Sequence, residues 1–403
     1  MIVNKLFTLL LLSILVLGCK NSDNDVDTVT TKTLFTFTSD LRHGEQWIIL
    51  RDSETGDLID AKQVVKNVPL VFESTKKVSN DKLSVTQLII SNDRSYISAG
   101  VYNEIATGSV WTDIALEVDT KAEGTPVGSY SINISNVPEI YNYALGNGVN
   151  NISYYLTSFG SNLTGEVNIG NTSRKHVVSI YPTTGNPKYQ FFDNVTDNDD
   201  IFLQYSELKS YDKILNVKFP EGLVPYGDIQ AIDNGYYYSL FSSINFLDQP
   251  DDLTEANFGF LNAYSNYYVR LSFGEFEYFS LGPAPASIDY VDGSQFTINN
   301  NSIDKFSATA SHAYDFRSVF YLYDDPDDSG FDIDITYYDP SPGAQHHDPF
   351  TPELISTYSI PMDQVKFESA SFAVGGATYE EWQKYYFGTN APGKITLASV
   401  TKH

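Results

Sequence analysis

Along most of the chain, hydrophobic and polar residues alternate with a period of two, the spacing that puts every second side chain on one face of a strand. Phe35 and Phe37 alternate with Thr36 and Thr38. Within 331–338, Ile333, Ile335 and Tyr337 share one face, while Asp332, Asp334 and Thr336 share the other. Short apolar or alternating runs recur at 47–50, 58–59, 70–72, 83–90, 96–102, 110–111, 165–169, 177–181, 189–192, 214–219, 267–273, 276–281, 316–323 and 395–400. Turn chemistry separates them: Asp52-Ser53-Glu54-Thr55-Gly56-Asp57 and the acidic stretch from Asp324 to Gly330 each read as a hairpin connection. One segment carries helix signals instead. Thr378-Tyr379-Glu380-Glu381 is a capping box ahead of Trp382, Tyr385 and Tyr386, with Gly388 as the stop. The pattern predicts an all-β chain of two or three tandem antiparallel β-sandwich domains with one short helix near the C-terminus. The expected blocks are 34–122, 123–222 and 223–403, divided near Lys121-Ala122-Glu123-Gly124 and at Pro220-Glu221-Gly222. No clean internal repeat appears, which argues against a propeller or solenoid.

The N-terminus breaks this pattern. Residues 6–17 are apolar except for Thr8 and Ser13, behind Lys5 and ahead of Gly18-Cys19. A helix of that length falls short of a bilayer core of ~30 Å at ~1.5 Å per residue, so residues 1–18 read as a cleaved export signal. Residues 19–33 are polar, charged and free of aromatics, as a disordered acidic tether would be. Val16-Leu17-Gly18-Cys19 resembles the lipobox of bacterial lipoproteins, which implies acylation of Cys19 and attachment to a membrane through that lipid. The stretch from Lys20 to Asp27 resembles the Lys-plus-acidic export signal of Bacteroidota lipoproteins, and Asp27-Thr28-Val29 resembles the O-glycosylation triplet of that phylum. Together these imply an outer-membrane protein facing the cell exterior. The stretch around Asp52-x-x-Thr55-Gly56 is similar to one in the carboxypeptidase-regulatory-like and transthyretin-like sandwiches, where it leads into an apolar return strand.

Composition sharpens the class. Aromatic residues make up 14% of the chain, with 29 Tyr and 25 Phe, and such side chains suit a pleated, half-buried surface. The net charge of −26 repels phosphate backbones and nothing forms a basic patch, so no nucleic-acid partner is expected. The single cysteine rules out an intramolecular disulfide. Beyond the leader there is no long apolar run, and the tyrosines are scattered rather than gathered in the girdles of a membrane barrel.

Candidate chemistry is sparse. Asp325-x-Asp327-x-Ser329-Gly330-x-Asp332 offers oxygens at the spacing of a calcium loop, with Gly at the bend; position twelve is Thr336 rather than Glu. Calcium is the one cofactor the sequence suggests, and acidic turns of this kind also form for backbone reasons alone. The groups Asp197-Asn198-Asp199-Asp200 and 248–252 are weaker versions. His346-His347-Asp348 has zinc-ligand chemistry, but its place between Pro342 and Pro349 favours a solvated loop. Trp47 and Trp111 are expected in the core, and the clusters Tyr236-Tyr237-Tyr238 and Tyr264, Tyr267, Tyr268 in ordinary sheet packing. No serine elbow, metalloprotease His-Glu helix or phosphate loop is present. The reading is a non-enzymatic, lipid-anchored surface protein whose sandwich modules bind glycan or protein. The alternatives are a surface carbohydrate-active hydrolase working through loop carboxylates and an accessory subunit of an outer-membrane assembly.

Overall fold

The computed structural model describes residues 31–41, 44–113, 125–148, 154–172, 175–243, 253–324, 331–388 and 394–403. The first strands are β1 (Lys32–Ser39), β2 (Glu45–Asp52), β3 (Leu58–Gln63), β4 (Leu70–Ser74), β5 (Lys82–Ile90), β6 (Tyr96–Ala106) and β7 (Ser109–Asp113). A second group follows: β8 (Pro126–Ser135), β9 (Ile140–Gly146), β10 (Tyr154–Phe159), β11 (Asn162–Gly170), β12 (Lys175–Pro182), β13 (Lys188–Asp193), β14 (Asp200–Gln204) and β15 (Lys209–Ser210). The chain continues through β16 (Lys213–Lys218), β17 (Tyr226–Asp233), β18 (Tyr236–Ser242), β19 (Glu255–Phe260), β20 (Asn266–Phe273), β21 (Phe276–Gly282), β22 (Phe296–Asn300) and β23 (Ser307–Ala310). It ends with β24 (Phe316–Tyr323), β25 (Asp332–Pro340), helix α1 (Pro352–Tyr358), β26 (Lys366–Gly376), helix α2 (Tyr379–Phe387) and β27 (Ile395–Lys402). The fold is all-β and sandwich-like, with open sheets and two short helices where the sequence pattern predicts one. Among the described residues no helix is long and apolar enough to cross a membrane.

Twelve strands make the main sheet, in the order β18-β17-β20-β21-β27-β26-β24-β25-β6-β5-β2-β3. Its neighbours pair antiparallel except β25 and β6, which run parallel with Ile335 opposite Ala99 and Tyr337 opposite Val101. Strands from the 34–122 and 223–403 segments therefore share one sheet. Alternation sorts the side chains of this sheet onto two cores. In β2, Ile48 and Leu50 face one core with Phe35, Phe37, Phe72 and Trp111, which belong to the small sheet β4-β1-β7 or pack under it. Ile49 faces the other, larger core with Ile333, Ile335, Tyr337 and Phe372.

The second group of strands forms a sandwich of its own. Sheets β10-β11-β8-β14 and β15-β13-β12-β9 face each other across Tyr130, Ile132, Ile134, Leu163, Val178 and Ile180. Strand β12 is covered on both sides, because Val177 and Tyr181 point the other way into the core of the main sheet. Two hydrogen bonds fasten that contact: the Tyr181 hydroxyl donates to Leu240 O at 2.6 Å, and Asn142 Nδ2 to Ser242 O at 3.0 Å. The Lys175 ammonium adds a third tie, sitting 5.0–5.1 Å from the ring centres of Phe191, Tyr238 and Tyr264. Tyr238 and Tyr267 are buried, so the tyrosine clusters pack within the fold.

Helix α2 forms where its capping box predicts. Thr378 Oγ1 accepts from Glu381 N, and the Glu381 carboxylate accepts from Thr378 N at 2.9 Å. The helix buries Trp382 and Phe387 against the first core, with Phe387 stacked on Trp111 at 4.2 Å and 3°. Thr378→Ala removes the cap without touching that packing. We expect about 1 kcal/mol of destabilisation, read as a lower urea midpoint at unchanged slope; no shift would mean the box is dispensable.

Candidate functional site

Near one edge of the main sheet, β2, β3 and α1 enclose an open groove of about 480 Å³. Trp47, Leu58, Ala61, Leu354 and Tyr358 line it, with Asp60, Glu353, Thr351 and Thr357 supplying carboxylates and hydroxyls. Trp47 alternates onto the same face as Ile49, but near the sheet's edge nothing covers it fully, so its ring is half-buried rather than a core residue. Trp111 and Trp382 are 5% and 6% exposed, which leaves Trp47 as the tryptophan at a surface.

A single carboxylate oxygen fixes both aromatic rings. Glu45 Oε1 accepts from Trp47 Nε1 at 2.8 Å and from the Tyr358 hydroxyl at 2.8 Å. Burial, then the Glu45 carboxylate, push the Tyr358 hydroxyl up to about 12, so it stays a donor. The Arg94 guanidinium lies 5.7 Å from the centre of the Tyr358 ring. Two oriented rings with carboxylates and hydroxyls around them suit a ligand with an apolar face and polar edges.

Helix α1 is one wall of this groove, and a buried network seats it. Its local start is ordinary: Thr351 Oγ1 accepts from Leu354 N, Pro352 opens the first turn, and Glu353 complements the helix N-terminus. Seven residues cannot hold a helix by themselves, so the approach from 341 to 350 matters. There His346, expected in a solvated loop, is buried at 6% exposure. Its Nε2 lies 2.9 Å from Asp339 Oδ2, its Nδ1 3.1 Å from Ile303 O, and its ring stacks on Tyr337 at 4.0 Å. Both ring nitrogens face oxygen acceptors, so the ring donates twice only as an imidazolium.

Asp339 is fully buried and collects three donors. Besides His346 it takes Arg317 Nε at 3.0 Å and Asn103 Nδ2 at 2.7 Å. Burial alone would raise its pKa; the His346 bond and charge, the Arg317 charge and the Asn103 bond outweigh it and hold the carboxyl below the usual range. Arg317 also lies over the Phe306 ring at 4.8 Å. Gly343, at φ +105°, lets the loop cross the guanidinium, since a Cβ there would come within 2.5 Å of it. Asn103 belongs to β6 and Asp339 to β25, so the network bridges the parallel joint of the main sheet.

The neighbouring His347 anchors the loop to the β2–β3 hairpin. Its Nε2 is 2.9 Å from Ser53 O, and its ring passes so close to Gly56 (φ +76°) that a Cβ would sit 2.6 Å away. Arg51 Nη2 donates to Phe350 O at 2.8 Å, and the Tyr337 hydroxyl to His347 O at 2.9 Å. Asp348 accepts from Phe350 N at 3.0 Å. The histidine pair thus serves as a strut for the groove wall. The Asp52 turn is as the sequence reads it, with Gly56 N donating to Asp52 O at 2.9 Å.

Of the residues suggested for calcium, Asp325, Asp327 and Ser329 lie outside the described residues, and Asp332 opens β25 with its N–H on Ser95 O at 2.9 Å. Cys19 and the 248–252 group also lie outside them. In the 197–200 group, Asp197 accepts from Ser129 N at 2.9 Å, Asp199 from Thr196 N at 2.6 Å, and Asp200 from the Ser131 hydroxyl. These carboxylates hold a turn. Among the described residues no group of three or more His, Cys, Asp or Glu side chains is placed to hold a metal ion.

The groove escapes a reading of the sequence because its parts come from residues about three hundred positions apart. Thr351-Pro352-Glu353 is a helix-start signature that could have exposed α1. Comparison with known proteins returns no match to any family model, curated protein or solved structure.

Proposed function

We propose that this chain is a lipid-anchored, cell-surface binding protein of non-enzymatic type, tethered through Cys19 and taking a neutral glycan in the groove at Trp47. The observation that carries the reading is the pair of rings, Trp47 and Tyr358, locked by Glu45 at an open groove with a carboxylate rim. A sugar ring presents a C–H face to such aromatics and hydroxyls to Asp60, Glu353, Thr351 and Thr357. The acidic rim and the net charge of −26 favour a neutral ligand over an anionic one. The anchor rests on the leader and its lipobox resemblance.

Tryptophan fluorescence reports on the groove, because the other two indoles are buried. Titration with a panel of neutral oligosaccharides is expected to shift the emission, and Trp47→Ala to weaken binding by about 2 kcal/mol, roughly 30-fold. Release of reducing ends from the panel would defeat the non-enzymatic reading, and an unchanged affinity in the variant would remove the groove. For the anchor, labelled fatty acid is expected on the wild type and absent from Cys19→Ala.

A further inference from the structure

We propose that the outer face of sheet β10-β11-β8-β14 is a second glycan site, built for an extended neutral polysaccharide; it rests on the glycan-binding reading above. Phe159 and Phe202 are 82% and 74% exposed, in a chain whose other phenylalanines mostly fill cores. A lone exposed hydrophobe needs no explanation. These two share a face, because Leu156 on β10 and Ile201 and Leu203 on β14 point into the sandwich core and fix the alternation.

Register sets the distance between the two rings. Phe159 pairs with Asn162, one position beyond the pair Leu163 and Ile134. In the next row of the same face, Thr164 is opposite Asn133, which is opposite Phe202. The rings thus stand on opposite edge strands, three strand spacings across and one row along, roughly 16 Å apart. Between them lie hydroxyls and amides, the groups that pair with sugar hydroxyls in either direction. None of the four strands contains Lys or Arg, while Glu166 and Asp200 stand on the same face in the row beyond, at Ser131. That charge disfavours uronate or sulfated chains and leaves a neutral polymer as the matching ligand. Two rings at opposite edges need a ligand that crosses all four strands, which a chain does and a single sugar does not.

Affinity electrophoresis of the full protein through gels containing a neutral glucan, mannan or xylan, or anionic polygalacturonate, tests this. We expect at least one neutral polymer to retard the protein and polygalacturonate not to. The Phe159→Ala/Phe202→Ala pair is expected to lose at least tenfold in apparent affinity at an unchanged urea midpoint, while Tyr226→Ala, which removes an aromatic ring 64% exposed on β17, keeps it. Retardation of the pair as strong as wild type, equal retardation by polygalacturonate, or no retardation by any neutral polymer overturns the proposal. So does a drop in sedimentation coefficient in the pair, which would make the face a contact between copies of this chain. Loss of binding in Trp47→Ala alone would leave the groove standing and remove only the second site.

Discussion

Asp339→Asn is expected to destabilise the protein by about 3–5 kcal/mol, the cost of breaking a buried ion pair from one side. The substitution keeps shape and volume, so the loss is electrostatic: Arg317, 4% exposed, and the buried His346 would face an amide instead of a carboxylate. Asp339 on β25 meets Asn103 of β6 at the parallel joint, Arg317 reaches it from β24, and His346 begins the strut that seats α1. Two readouts should therefore move together, the urea midpoint and the affinity of the groove for its oligosaccharide. The acid limb carries the same signature. Because the folded carboxyl titrates below its ordinary 3.8, its contribution is complete above that pH and drains away as pH falls further. The Asp339→Asn variant, with no carboxyl at this position, should lose stability less steeply over that range, the limb from carboxylates such as Asp52 and Asp93 remaining. A destabilisation under 1 kcal/mol in urea, with groove affinity unchanged, would show that the network neither stabilises the joint nor positions the helix.

A second large effect is expected in mild acid, from His176. This side chain is 3% exposed in the middle sandwich, with its Nδ1 3.2 Å from the Tyr130 hydroxyl and its ring edge-on to that tyrosine. Burial lowers its pKa from 6.5 to about 4. The unfolded chain therefore takes up the proton first. Stability from this group is complete above pH 6.5 and falls as pH drops towards 4, by roughly 3 kcal/mol in all. Urea midpoints of wild type and His176→Leu between pH 7 and 4.5 check the sign: wild type should lose stability faster than the variant as pH falls. Parallel curves would mean that His176 carries a proton equally well folded and unfolded.

Much of this architecture is local and therefore readable. Alternation over 331–338 gives β25 because period two is a property of the strand alone, and it even names which residues are buried: Ile333, Ile335 and Tyr337. The capping box gives α2 for the same reason, since its two hydrogen bonds span three residues. Trp47 is harder. Its pattern matches that of a core residue, and only the position of β2 beside the edge strand β3 leaves the ring half-uncovered. His346-His347-Asp348 is harder still, because what buries His346 is Asp339 and Ile303, and what holds His347 is Ser53, nearly three hundred positions away.

By itself, then, the sequence determined an all-β body, the places of most strands and one capped helix. Only the tertiary structure decided that β25 lies parallel to β6, that a buried Asp339 gathers Arg317, His346 and Asn103 across that joint, and that α1 closes a groove over Trp47. The physical reason is range: strand and cap preferences are settled within a few residues, whereas pairing partners and buried charges are chosen among groups hundreds of residues apart, by whichever arrangement leaves the fewest apolar faces and polar atoms uncovered.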